Sequence, residues 1–127
     1  MPTTEVRVYR DANGEVPLQE WLNDLEARHR RAYVKCLARI LELAENGRQM
    51  RRPNADYLRD GIYELRVRVG RVNYRILYFF SGKDVVALSH GLTKEREVPT
   101  EEFETAISRM KLVKRDPKTY TADFELH

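Results

Sequence analysis

Cysteine occurs once in the 127 residues, at Cys36, and one thiol can build neither a disulfide framework nor a CxxC redox or zinc arrangement. A secreted, disulfide-stapled class is excluded. Long apolar runs are missing too, since no segment reaches the roughly 20 apolar residues that a bilayer-spanning helix needs. The first ten residues carry Glu5, Arg7 and Arg10 and lack the apolar stretch of a signal peptide. These absences lead us to expect a cytoplasmic protein with no membrane contact. There is no internal repeat, no low-complexity segment and no glycine-rich phosphate loop, and Gly70 and Gly82 read as turn glycines. No acidic or histidine cluster falls at convincing metal-ligand spacing, so neither a metal nor a cofactor is expected. Cys36 has no His and acidic partners with triad logic and reads as packing.

What is present is a moderate excess of positive charge, with 23 Lys and Arg against 20 Asp and Glu. That balance alone does not argue for nucleic acid. The placement of the arginines matters more, because a polyanion is held by clustered cations. The length gives room for one domain, read as 1–113, followed by a polar tail, 114–127, without clear periodicity.

Within the domain the hydrophobic period predicts the order β-α-α-β-β-β-α. Val6 and Val8 alternate in a short strand over Glu5 to Arg10, and Asn13-Gly14 turns the chain. Pro17 opens a helix whose Leu18, Trp21, Leu22 and Leu25 line one face. A second helix, Arg30 to Asn46, repeats Tyr33, Leu37, Ile40 and Ala44 and stops at Asn46-Gly47. Arg48 to Asn54 reads as a basic loop. From Ile62 the period becomes two, and Gly70-Arg71 forms a hairpin loop returning through Val72 to Phe80. A third strand, Asp84 to Leu92, follows either a Ser81-Gly82 or a Gly82-Lys83 loop. Pro99-Thr100-Glu101-Glu102 announces a last helix carrying Phe103, Ala106, Ile107 and Met110 on one side, acidic at its start and basic at its end. The fold class expected is α+β, an antiparallel sheet with the two N-terminal helices packed on one face and a C-terminal helix.

The hairpin loop fixes a register. Val69 pairs with Val72, Val67 with Tyr74, Leu65 with Ile76 and Tyr63 with Tyr78, a wholly apolar face that the helices must cover. On the reverse, Arg68 faces Asn73, Glu64 faces Leu77, and Arg66 faces Arg75. Like charges directly opposite destabilise a ladder by an amount comparable to the roughly 0.2–1 kcal/mol of a favourable cross-strand pair. Function is one reason to keep them. With either loop, Val86, Leu88 and His90 of the third strand share the face of Arg75, Leu77 and Phe79, which sets one imidazole among cations. Arginine on the wet face of a sheet needs no ligand, so the plain structural reading stands beside an anion site. Arginine grips phosphate bidentately, and crowded cations lower the pKa of a neighbouring Lys or His toward that of a useful base. Such a face suits metal-independent RNA cleavage.

The runs Asp60-Gly-Ile-Tyr-Glu-Leu-Arg-Val-Arg-Val, Tyr74-Arg-Ile-Leu-Tyr-Phe-Phe and His90-Gly-Leu-Thr-Lys-Glu-Arg-Glu-Val-Pro99 resemble the RelE/ParE toxin superfamily. The likeness is greatest to its HigB-like, phage-derived Gp49-like branch, and spans Val6 to about Lys111. The resemblance implies a RelE-like fold and a type II toxin that cuts mRNA on the ribosome, neutralised by a helix-turn-helix, HigA-like antitoxin. By resemblance Arg75 matches the arginine that contacts the scissile phosphate, Arg66 a basic position on the preceding strand, and Lys94 and Arg96 a basic tract after the last strand. The candidates are thus Arg75, Lys94 and His90 for catalysis, with Arg66, Arg68, Arg71 and Arg96 for RNA and phosphate. Two departures stand out: Lys94-Glu95 replaces a pair of lysines, and Phe103 stands where a catalytic tyrosine would be sought. The alternatives are a ParE-type gyrase inhibitor without nuclease activity and a non-catalytic basic interaction module.

Overall fold

The computed structural model describes residues 4–94 and 97–125. In chain order the elements are β1 (Glu5–Tyr9), α1 (Pro17–Arg28), α2 (Arg30–Asn46), a 3-10 turn (Gly47–Gln49), β2 (Ala55–Arg59), β3 (Ile62–Val69), β4 (Val72–Phe80), β5 (Val85–Lys94), α3 (Thr100–Arg115), α4 (Pro117–Tyr120) and β6 (Thr121–Asp123). The strands form one sheet in the order β2-β3-β4-β5-β1-β6. Helices α1 and α2 pack on one face and α3 on the other, a RelE-like α+β arrangement. Among the described residues no helix is long and apolar enough to cross a membrane.

Pro17 begins α1, where its missing N–H leaves nothing unsatisfied, and Leu18, Leu22 and Leu25 are buried. His29 alone separates the two helices: its N–H still bonds Leu25 O, while its carbonyl accepts from Tyr33 N and starts α2. In α2 the buried stripe is Ala32, Cys36, Ile40 and Leu43. Tyr33, Leu37 and Ala44 flank it, so the helix is rotated from the expected stripe. Burial pushes the Cys36 thiol up to about 12, which leaves it protonated and inert. Gly47 ends α2 at φ 51°, and a Cβ there would run into Thr4 Oγ1. A Cβ at Gly91 would fall inside the indole of Trp21, which shows how closely α1 approaches β5.

The β3–β4 hairpin has the expected register throughout, from Val69↔Val72 to Tyr63↔Tyr78, with Arg66 opposite Arg75. Leu65, Val67, Tyr74, Ile76 and Tyr78 join the core under α1 and α2. Leu77 and Phe79 face the other way and pack with Ala106 and Val113 of α3.

The third strand of the expected set corrects two points. Neither two-residue loop forms: Phe80 pairs with Val86, and Ser81 N–H bonds Val85 O across a wider turn. A bulge then falls between Leu77↔His90 and Tyr78↔Leu88, leaving Ser89 unpaired in the ladder. One inserted residue reverses the alternation. Val86 and Leu88 therefore lie in the α1–α2 core rather than beside Arg75, whereas His90 and Leu92, beyond the bulge, sit opposite Leu77 and Arg75.

The sheet is antiparallel except where β1 runs parallel to β5. Three elements were not anticipated. β2 pairs with β3 through a turn at Asp60 and Gly61, both with positive φ (53° and 86°), the conformation of a two-residue type I′ loop. The tail carries α4, capped by Asp116, and β6, which pairs antiparallel with β1. Arg7 fastens it by donating to Thr121 Oγ1 and pairing with Asp123.

Candidate phosphate-binding site

The opposed arginines lie beyond the apolar ground that α3 covers, and a third charge sits between them. Glu64, two residues before Arg66 on β3, is fully buried. Arg75 Nη1 donates to both of its carboxylate oxygens, at 2.6 and 2.8 Å. Arg66 Nε donates to Oε1 at 2.7 Å. Hydrogen bonds to a charged partner contribute about 1.5–3 kcal/mol each, which exceeds the roughly 0.2–1 kcal/mol scale of the arginine–arginine repulsion. The pair is therefore locally compensated, and its persistence does not by itself require a ligand. Arg66 Nη2 also reaches Asp56 Oδ2 at 3.1 Å, an oxygen it shares with Arg52 at 3.0 Å. Asp56 is held below the usual carboxylate range, first by the Arg52 hydrogen bond and then by both guanidinium charges.

One donor of the cluster is left over. Arg75 Nε is buried and has no hydrogen-bond partner among the described residues. Beside it opens a pocket of about 340 Å³ lined by Arg39, Asn54, Arg66, Arg68, Asn73 and Arg75 among others, within the size range of small-ligand sites. Arg39 comes from α2 and is fixed by donating to Arg66 O at 2.9 Å and to Glu42 Oε1 at 2.8 Å. Asn54 is held by the other oxygen of the same carboxylate, at 3.1 Å. The lining thus includes four arginines, whose planar forks suit phosphate oxygens.

Of the residues singled out from sequence, Arg66, Arg68 and Arg75 come together at this pocket. Arg71 is exposed in the hairpin loop, outside the lining. The backbone of Lys94 pairs with Asn73 at the end of β5; its side chain and the whole of Arg96 fall outside the described residues. His90 does not join the arginine cluster. It is buried, with Nδ1 2.7 Å from Ser89 Oγ and Nε2 2.7 Å from Glu102 Oε2 of α3. Arg109 reaches the same Ser89 hydroxyl at 3.3 Å and lies 4.8 Å over the Tyr9 ring. A neutral ring protonated at Nε2 satisfies every partner: it donates to Glu102 and accepts from Ser89. Burial, with the Arg109 charge in the same sense and against the pull of Glu102, holds the imidazole below the usual histidine value. The imidazole expected among cations is instead a clasp between β5 and α3.

The clasp predicts a pH dependence. Because the folded value is depressed, the unfolded ring binds its proton first, so stability is complete above the ordinary histidine pKa of about 6.5 and declines as pH falls below it toward the folded value. Thermal melts across this range are expected to show that decline in the native protein and a flatter one in His90→Gln. Equal acid limbs would remove the assignment.

Sequence reasoning missed Glu64, Asp56, Arg39 and Asn54. For Glu64 a signal existed in the hairpin register, which sets it opposite Leu77 and diagonal to Arg75 on one face, within reach of long side chains. Arg39 had none, since it required knowing how α2 lies along β3.

The sequence model of the family described as "Phage derived protein Gp49-like (DUF891)" matches residues 20–111. No curated protein matches the chain.

Proposed function

We propose, for a chain that belongs to the phage-derived Gp49-like family, a ribosome-dependent mRNA endonuclease that stops translation as the toxin of a toxin-antitoxin pair. The family lies in the RelE/HigB toxin-like group and is associated with toxin-antitoxin toxins. The observation that carries the finer reading is the pocket whose lining brings Arg66, Arg68 and Arg75 together with Arg39.

In this reading the scissile phosphate lies on Arg75 and Arg66. The 2′-hydroxyl gives up its proton as its oxygen bonds to phosphorus, the P–O5′ bond breaks, and the departing 5′-oxygen takes up a proton, leaving a 2′,3′-cyclic phosphate and a 5′-hydroxyl. The guanidinium groups take up the charge that grows on the phosphorane oxygens. Lys94, which follows Thr93 at the end of β5, is the candidate for proton transfer. His90, with both ring nitrogens engaged, acts on the position of α3 instead. The cognate antitoxin, a helix-turn-helix protein, would neutralise the toxin by covering this basic face.

Induced expression is expected to halt protein synthesis, with new mRNA 5′-hydroxyl ends mapping inside ribosome-occupied codons. Intact mRNA accompanied by gyrase-linked DNA breaks would replace this reading with the gyrase one.

A further inference from the structure

A second basic surface lies next to the pocket just described and has no part in holding the scissile phosphate. Arg48, Met50, Arg51, Arg52, Tyr57 and Tyr63 line a hollow of about 500 Å³ at the β2 edge of the sheet. Tyr57 is 53 % exposed, yet it is not loose. Its hydroxyl accepts from Gly61 N–H at 3.1 Å, and its ring meets Tyr63 edge-on, with centroids 4.9 Å apart. An exposed aromatic ring held from two sides loses little freedom when something stacks on it.

The cations around it are supplied in excess. Arg48 lies 4.0 Å over the Phe80 ring, and Arg52 is paired with Asp56. Arg51 has no ion pair or side-chain hydrogen bond among the described residues. Among the described residues Asp56 is the one acidic residue lining the hollow, and two arginines already share it. The two pockets also adjoin along the chain: Pro53 and Asn54 line the first, while Arg51, Arg52, Ala55 and Asp56 line the second.

A groove that combines guanidinium groups with a fixed aromatic platform recognises single-stranded nucleic acid, because every base offers a face and every linkage a phosphate. We infer that this hollow is a second RNA subsite, where a nucleotide flanking the cut stacks on Tyr57 and its phosphate meets Arg51. The inference rests on the RNA-cutting reading and names where its substrate strand runs.

The test is titration of the purified protein with a short, fluorescein-labelled, 2′-O-methylated oligouridylate, which cannot be cut. Tyr57→Ala is expected to weaken binding by roughly tenfold without changing its salt dependence, while Tyr57→Phe retains it. Arg51→Ala should flatten the plot of log affinity against log salt by about 0.7 for one lost phosphate contact. A duplex of equal length should compete poorly. Equal competition by duplex, or unchanged binding in both alanine variants while Arg75→Ala weakens it, overturns the subsite and leaves the arginine site standing. Failure of the native protein to bind the strand also overturns it, and mapping of mRNA ends then judges the cleavage reading separately.

Discussion

An Arg75→Ala protein is expected to lose about 10²–10³-fold in mRNA cleavage, the range found when one preorganised donor to a developing oxyanion is removed. The reason is positional. Arg75 is anchored by Nη1 to a buried carboxylate and keeps Nε without a partner among the described residues, so its charge is fixed before substrate arrives and needs no reorganisation. Arg75→Lys should recover only part of the rate, because an ammonium keeps the charge but not the planar fork. The complication is that Arg75→Ala also removes a partner of Glu64. Pairing it with Glu64→Gln relieves the stranded carboxylate and separates the two effects. Cleavage that recovers in Arg75→Ala/Glu64→Gln would mean that Arg75 serves the fold, and the site assignment would be lost.

Glu64→Ala should produce the largest loss of stability, about 3 kcal/mol, the low end of the range for removing one member of a buried ion pair. The low end applies because Arg66 is 37 % exposed and retains Asp56; the loss falls mainly on Arg75, which is 15 % exposed and has no second carboxylate partner among the described residues. Set against the 5–15 kcal/mol total typical of a domain, this is a large fraction. Denaturant melts read it directly. Adding Arg75→Leu to Glu64→Ala should return part of the loss, since the opposed charge then disappears. A Glu64→Ala protein as stable as the native one would show that the carboxylate does not hold the pair together.

The two variants bear on how much of the molecule was legible in its sequence. The Arg66–Arg75 pairing followed from alternation on both sides of Gly70-Arg71, because a tight hairpin loop fixes register and register fixes faces. The repulsion between the two arginines, which function is one reason to tolerate, is compensated by Glu64. Charge was counted along opposite positions, while the compensating carboxylate lay on a diagonal. Asp60-Gly61 is a strong two-residue hairpin signal, but the β2 it returns to is five residues long with a register shift near Arg59, too short to show a period. His90 was placed on the correct face through two errors that offset each other, a wider loop and a bulge at Ser89. Its removal from the arginines depended on α3, whose docking no local pattern records.

One consequence concerns the order in which the chain is made. β1 is synthesised well before β6, with Arg7 and Thr121 separated by 114 positions. Until β6 arrives, the outer edge of β1 carries unpaired backbone groups open to a neighbouring chain. Its side-chain clamp, Arg7 on Thr121 and Asp123, cannot form on the nascent polypeptide. β6 therefore works as a late-fitted guard rail that closes this edge of the sheet against edge-to-edge pairing.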